Sequence, residues 1–304
     1  MHSSNVFLQQ IANGITIGMI YALIALGYTL VYGILQLINF AHGEIFMVGA
    51  YLGLFVYTLS QTVSGNLAAT PLTISIIVLA MIGTAALGVT IERFAYRPLR
   101  NSPRLAPLIT AIGISFLLQN AVMLIFGPSD KSFPQIIKSQ NYSWGNVAFT
   151  NLQILIALTS ILLMVVLNAF IKNSKLGKAM RALADDPKAA SLVGINPDQI
   201  ISIAFLIGSG LAGAGGVMFG MYYNTINFHD GYLVGLKAFT AAVLGGIGNV
   251  PGAMLGGLLI GILESLGAGY LSSEWKNVFA FFILFLVLLL RPSGLLGSRV
   301  VKKV

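Results

Sequence analysis

From Ile15 to Leu37 the chain runs without one charged side chain, and apolar stretches of similar length recur to its end. A helix needs about 20 such residues to cross the ~30 Å hydrocarbon layer of a bilayer, each adding ~1.5 Å. Runs that qualify lie at 13–35, 45–62, 72–91, 105–126, 152–171, 199–222, 232–247, 252–271 and 276–290. Lipid offers no hydrogen bonds to a bare backbone, so each run is predicted to be helical. The expected fold is all-α, a polytopic membrane bundle of eight or nine transmembrane helices forming one domain over residues 1–304. Eight would apply if one glycine-rich segment of 232–271 re-entered instead of crossing. The first run lacks a basic flank and exceeds the apolar core of a signal peptide, so it is expected to remain as a span.

Charge sets the orientation. Only 9% of residues are charged, against about 25% in soluble domains. Most of the 17 basic residues fall in three groups: Arg93, Arg97, Arg100 and Arg104; Lys172, Lys175, Lys178, Arg181 and Lys188; and Arg291, Arg299, Lys302 and Lys303. Each group abuts an apolar run, as cytoplasmic loops do under the positive-inside rule. The net charge of +8 is therefore a topological signal and not a nucleic-acid footprint. The same count places 127–150 and 223–231 outside and 172–198 inside.

Several chemistries are missing. The chain has no cysteine, so disulfides and thiolate sites are excluded. No phosphate-binding glycine loop, nucleophile elbow or paired-carboxylate arrangement is present, so no catalytic residue is expected and the chain cannot hydrolyse ATP itself. His42 and Glu44 in "NFAHGE" lack zinc-protease spacing, and His2 and His229 are distant, so no metal site is expected. Asn39, His42 and Glu44 are read as a helix cap and turn at the inner membrane surface, with a gate or pathway role as the alternative.

Lys237 and Glu264 are ionisable groups inside apolar runs, where each is costly. A chain reversal near Asn249 and Val250 would set them at equal depth on antiparallel helices, as a buried ion pair or as pathway residues. Glycine, 34 in all, is concentrated in the spans. Two consecutive GxxxG patterns, Gly252/Gly256 and Gly257/Gly261, predict close helix contact. Gly245, Gly246 and Gly248 with Pro251 predict a helix break, comparable with the one at "INFAHGE", residues 38–44.

The polar insertion 172–198 breaks this pattern. "SKLGKAMRALADD" predicts a short helix with Leu176, Met180 and Leu183 on one stripe. Asp185 or Asp186 would cap a second helix opened by Pro187 and ended by Gly194. A simple connection needs only a few residues, so a structured knob of this size is expected to dock a cytosolic partner.

Gly177, Arg181 and Ala182 followed by Ala189, Ala190, Gly194, Ile195 and Asn196 resemble the coupling loop of the branched-chain amino acid type of ABC importer permease. "GYTLVYGILQLINFAHGEIFMVGAY" (27–51), "GLKAFTAAVLGGIGNVPGAMLGGLLIGILE" (235–264) and "RPSGLLG" (291–297) resemble other signatures of that family. Within it the chain is most similar to the shorter, LivH-type subunit. The resemblance implies a bacterial inner-membrane protein forming half of a translocation pathway beside a second, LivM-like permease. It implies two cytosolic ABC ATPases gripping residues 176–196, including Leu176, Gly177, Met180 and Arg181. It further implies an external substrate-binding protein delivering a hydrophobic amino acid. No cofactor is expected on this chain, since the partner ATPases use the ATP. A urea or short-amide importer, or an ion-coupled carrier, remains the alternative.

Overall fold

A computed structural model describes residues 2–64, 68–100, 102–103, 105–145, 147–291 and 293–297. Arg104, Pro292, Arg299, Lys302 and Lys303 lie outside the described residues. The helices are α1 (His2–Leu35), α2 (His42–Ser64), α3 (Ala69–Ile91), α4 (Leu105–Phe126), α5 (Asn151–Asn173), α6 (Lys175–Asp185) and α7 (Pro187–Leu192). They continue with α8 (Pro197–Tyr223), α9 (Asp230–Gly245), α10 (Val250–Tyr270) and α11 (Lys276–Leu290). A π-helical turn, Glu92–Tyr96, and a 3-10 turn, Arg97–Leu99, prolong α3 at its C-terminal end.

Among the described residues seven helices are long and apolar enough to cross a membrane, and Lys276–Leu290 is a shorter apolar helix, so the expected count of eight or nine spans is not confirmed. The shortfall lies in α9 and α11, of 16 and 15 residues. At ~1.5 Å per residue these reach only ~24 and ~22 Å. Helices α1 and α8 form the buried centre, whereas α4 and α5 expose most of their surface at the periphery.

The two consecutive GxxxG patterns on α10 serve two neighbours. Gly252 and Gly256 face α9, against the carbonyls of Gly245 and Ala241, while Gly257 and Gly261 face Ala22 and Gly18 of α1. A β-carbon on Gly18 would come 2.8 Å from Leu258 Cα, closer than real side chains approach. Without a hydrophobic drive between helices in lipid, such backbone contact is the main source of adhesion, and α1 packs more extensively on α10 than on any other element.

Gly246 and Gly248, at φ +104° and +91°, turn the chain between α9 and α10. Pro251 lies in the first turn of α10, behind the Asn249 cap, and not in mid-helix. The C-terminal segment closes this corner: the N–H groups of Leu295 and Leu296 donate to the carbonyls of Leu244 and Gly245 at 2.8 and 3.0 Å. Carbonyls at the end of α9 would otherwise lack partners, which gives the "RPSGLLG" end a structural task.

Sequence reasoning expected only loops outside. In the segments so assigned the structure has two small sheets, Lys131–Ser132 (β1) with Thr225–Ile226 (β4), and a hairpin of Asn141–Trp144 (β2) with Val147–Thr150 (β3). Thr150 and Gln153 then form a reciprocal capping box that starts α5.

Candidate coupling knob and buried polar sites

The insertion 172–198 forms two short helices set on the end of α5. Ser174 caps α6, its Oγ accepting from the N–H of Gly177 at 2.9 Å. Gly177 permits the close seat, because a β-carbon there would lie 2.6 Å from Ile171 Cα. Gly177, Met180, Leu183 and Ala190 are buried, and Ala182 and Ile195 pack partly against the core. Leu176, expected on the same stripe, is instead 40% exposed, and Ala189 is exposed. The inward face thus begins one residue later than the periodicity indicates.

Asp186 caps α7, accepting from the N–H groups of Lys188 and Ala189 at 2.8 and 3.0 Å. Gly194 adopts φ +89° and ends it, with the Ile195 N–H donating to the Ala190 carbonyl at 3.1 Å. A Gly194→Val variant should weaken this stop by ~1 kcal/mol, speeding hydrogen exchange of α7 amides about fivefold. Exchange in α8 should be unchanged; unaltered α7 exchange would contradict the assignment.

Arg181 donates to the carbonyls of Ile171 and Lys172. Its guanidinium therefore caps the end of α5 and ties the knob to that helix, while the side chain stays exposed. The outward feature is apolar: Leu192 and Val193, 88% and 77% exposed, stand at the tip of α7. Neither was singled out from sequence, although a Leu-Val pair beside a helix-ending glycine in a polar insertion was the available signal.

Beside the knob, the Glu92 carboxylate is fully buried. It accepts from Arg97 at 2.9 Å, from Arg100 and from the Ser202 hydroxyl at 2.7 Å, and Arg100 also reaches Asp198. The C-terminal extension of α3 is thereby clamped to the start of α8. Arg97 and Arg100 were read as topological charges only; their Glu92 partner lies in the same short "ERFAYRPLR" stretch.

Lys237 Nζ lies 2.8 Å from Glu264 Oε1, and the Tyr21 hydroxyl donates to Glu264 Oε2 at 2.8 Å. All three side chains are buried. The reversal at Gly246–Asn249 sets the two charges level across α9 and α10.

The Asn39–Glu44 segment is not a surface turn. Gln36, at φ +52°, turns the chain back after α1, and residues 36–41 re-enter the bundle. His42 lies against Gly27, eight residues, or ~12 Å, before the end of α1. Asn39, His42 and Glu44 are 3%, 1% and 1% exposed. The Tyr96 hydroxyl donates to Asn39 Oδ1 at 2.8 Å, the Tyr28 ring meets the His42 ring edge-on, and the Ser115 hydroxyl donates to Glu44 Oε1 at 3.1 Å. Among the described residues no group of three metal-ligating side chains stands together.

Residues 10–288 match the family described as the permease component of the branched-chain amino acid transport system. The chain is 49% identical over 304 residues to BraD, a high-affinity branched-chain amino acid transport system permease protein of Pseudomonas aeruginosa, with 98% of each chain covered. It is 47% identical over 305 residues to the protein of the same description, LivH, of Escherichia coli, again over 98% of each. A shorter likeness, 30% over 141 residues, covers 44% of this chain and 32% of the LivM permease protein of Escherichia coli.

Proposed function

Since the chain belongs to the family of branched-chain amino acid transport permeases, we propose that it is the LivH-type half of an ATP-driven importer of hydrophobic amino acids. Residues 1–304 act as one permease domain in the bacterial inner membrane. The other half of the pathway is a LivM-like permease. Two cytosolic ATPases supply the energy, and an external binding protein supplies the substrate. No step of the hydrolysis falls to this chain.

The observation that carries the coupling role is the apolar tip of α7 on a knob anchored to α5 by Arg181. Two large apolar side chains on a charged aqueous loop are out of place unless another protein covers them. A groove on an ATPase subunit fits a short capped helix with such a tip. The Glu92 clamp carries motion of the knob to the inner ends of α3 and α8. A urea or short-amide importer and an ion-coupled carrier draw no support from these three relatives, all named for branched-chain amino acid transport.

The test is reconstitution. Vesicles holding both permeases and both ATPases, given loaded binding protein, should accumulate leucine when ATP is enclosed on the cytoplasmic side. A proton or sodium gradient without ATP should give none. Uptake driven by an ion gradient through this chain alone would overturn the reading.

A further inference from the structure

Among the described residues three carboxylates are buried, at Glu44, Glu92 and Glu264. Two are matched. Glu92 has Arg97, Arg100 and Ser202, and Glu264 has Lys237 and Tyr21. Glu44 has one neutral partner, the Ser115 hydroxyl on Oε1. Its Oε2 is buried with no hydrogen bond, and no basic side chain pairs with it among the described residues.

An anion buried here without a cationic partner is costly, so the site calls for a counter-charge. Glu44 lies in the first turn of α2, and its Oε2 lies against Gly231 in the first turn of α9. Helix N-termini carry partial positive charge and hold an anion in place without neutralising it. Gly231 also leaves the carboxylate its room, since any side chain there would collide with Oε2.

The place of Glu44 in the fold indicates what would complete it. It sits at the seam of α2, α4 and α9, and Ser115 is only half-buried, so open surface lies one side chain away. Ionisable groups at membrane depth face a protein interior or an aqueous path, not lipid. The seam carries further polar groups towards the outer face. Tyr51, two turns along α2, has a buried hydroxyl without a partner. Gln119, one turn along α4, lies 2.6 Å from His229 Nδ1. Asp230, next to Gly231, accepts from the Asn227 N–H at 2.7 Å, and Asn227 reaches Asp130. Ile112, one turn before Ser115 on α4, and Tyr232, next to Gly231 on α9, are both exposed.

We propose that Glu44 and Ser115 receive the α-ammonium group of the amino acid in transit, at the inner end of this polar seam. The inference rests on the importer reading above. A primary ammonium offers three donors and one positive charge, which Oε2 and its neighbours lack. The aliphatic side chain of the substrate would lie along Ile112 and Tyr232. Binding here is transient and follows delivery, so it governs the rate of passage more than recognition outside.

The test uses the complete complex in vesicles, with leucine uptake measured against the concentration of leucine-loaded binding protein. Glu44→Gln keeps the shape and removes the charge. It should lower the maximal uptake rate at least tenfold without moving the half-saturating concentration, and Glu44→Asp should recover part of the loss. Wild-type uptake by an assembled Glu44→Gln complex would overturn the proposal. If that variant does not assemble, Ser115→Ala decides: a several-fold lower maximal rate supports the site, and an unchanged rate overturns it. Loss of wild-type uptake when external sodium is replaced by choline would assign the carboxylate to an inorganic cation and overturn it likewise. Failure of the wild-type complex to move leucine with ATP would instead overturn the importer reading itself.

Discussion

Replacing Glu264 with leucine while Lys237 remains should destabilise the chain by ~3–5 kcal/mol, because it strands an ammonium group inside the bundle. Lys237→Met should cost a similar amount by stranding the carboxylate. The two changes together should cost much less than their sum, since no buried charge is left. Tyr21 sets the residual loss: its hydroxyl donates to Glu264 in the native chain and would lose that acceptor, at ~1–3 kcal/mol. Adding Tyr21→Phe should recover most of it. The measurement is the midpoint of thermal or detergent unfolding for each variant in a mutant cycle. Additive losses from the two single changes would show that the 2.8 Å contact carries no coupling, and would move both residues towards a pathway role.

The second large effect is expected at the tip of the knob. Leu192→Asp with Val193→Asp alters two side chains that touch almost nothing, so the isolated chain should change by no more than ~0.5 kcal/mol. Against an ATPase groove the balance differs. Burying each native side chain is worth ~1.5–3 kcal/mol, and the aspartates would add charges to be desolvated. Attachment should weaken by at least a hundredfold, and uptake should fall to background. The ATPases should no longer co-purify, whereas pairing with the second permease should persist. Retained ATPase and normal uptake would reduce the knob to a connector.

Most helices of this fold were legible because span length and the placement of arginine and lysine are set by the bilayer, which acts on sequence locally. The level placement of Lys237 and Glu264 followed from counting residues either side of one turn. The ends of the second knob helix were legible for the same reason: Asp186 and Gly194 act within three residues of themselves. Contacts between distant segments were not. Nothing near "NFAHGE" shows that residues 36–41 turn back into the bundle, because that path depends on Gly27, Gly231 and Gly235 leaving space on two other helices. The tie of Arg181 to α5 was not legible because its acceptors are backbone carbonyls, which carry no residue signature. The outer strands were missed because two- and four-residue strands are too short to show alternation.

The short α9 has a consequence for how the chain is made. Its 16 residues carry a lysine near the middle, and α10 carries a glutamate towards its outer end. A lysine at the centre of a span costs ~2.5–3.5 kcal/mol on the translocon insertion scale, and α9 has few leucines to offset it. On its own, then, α9 is a poor guest for lipid. Once α10 has followed it out of the ribosome, the bend at Gly246–Asn249 can bring ammonium and carboxylate together, and the hairpin can enter the bilayer as a nearly neutral unit. Synthesis must therefore run some twenty residues past α9 before that helix has a reason to leave the channel. The ion pair acts as a timing device during biogenesis, delaying membrane entry of one segment until its complement exists.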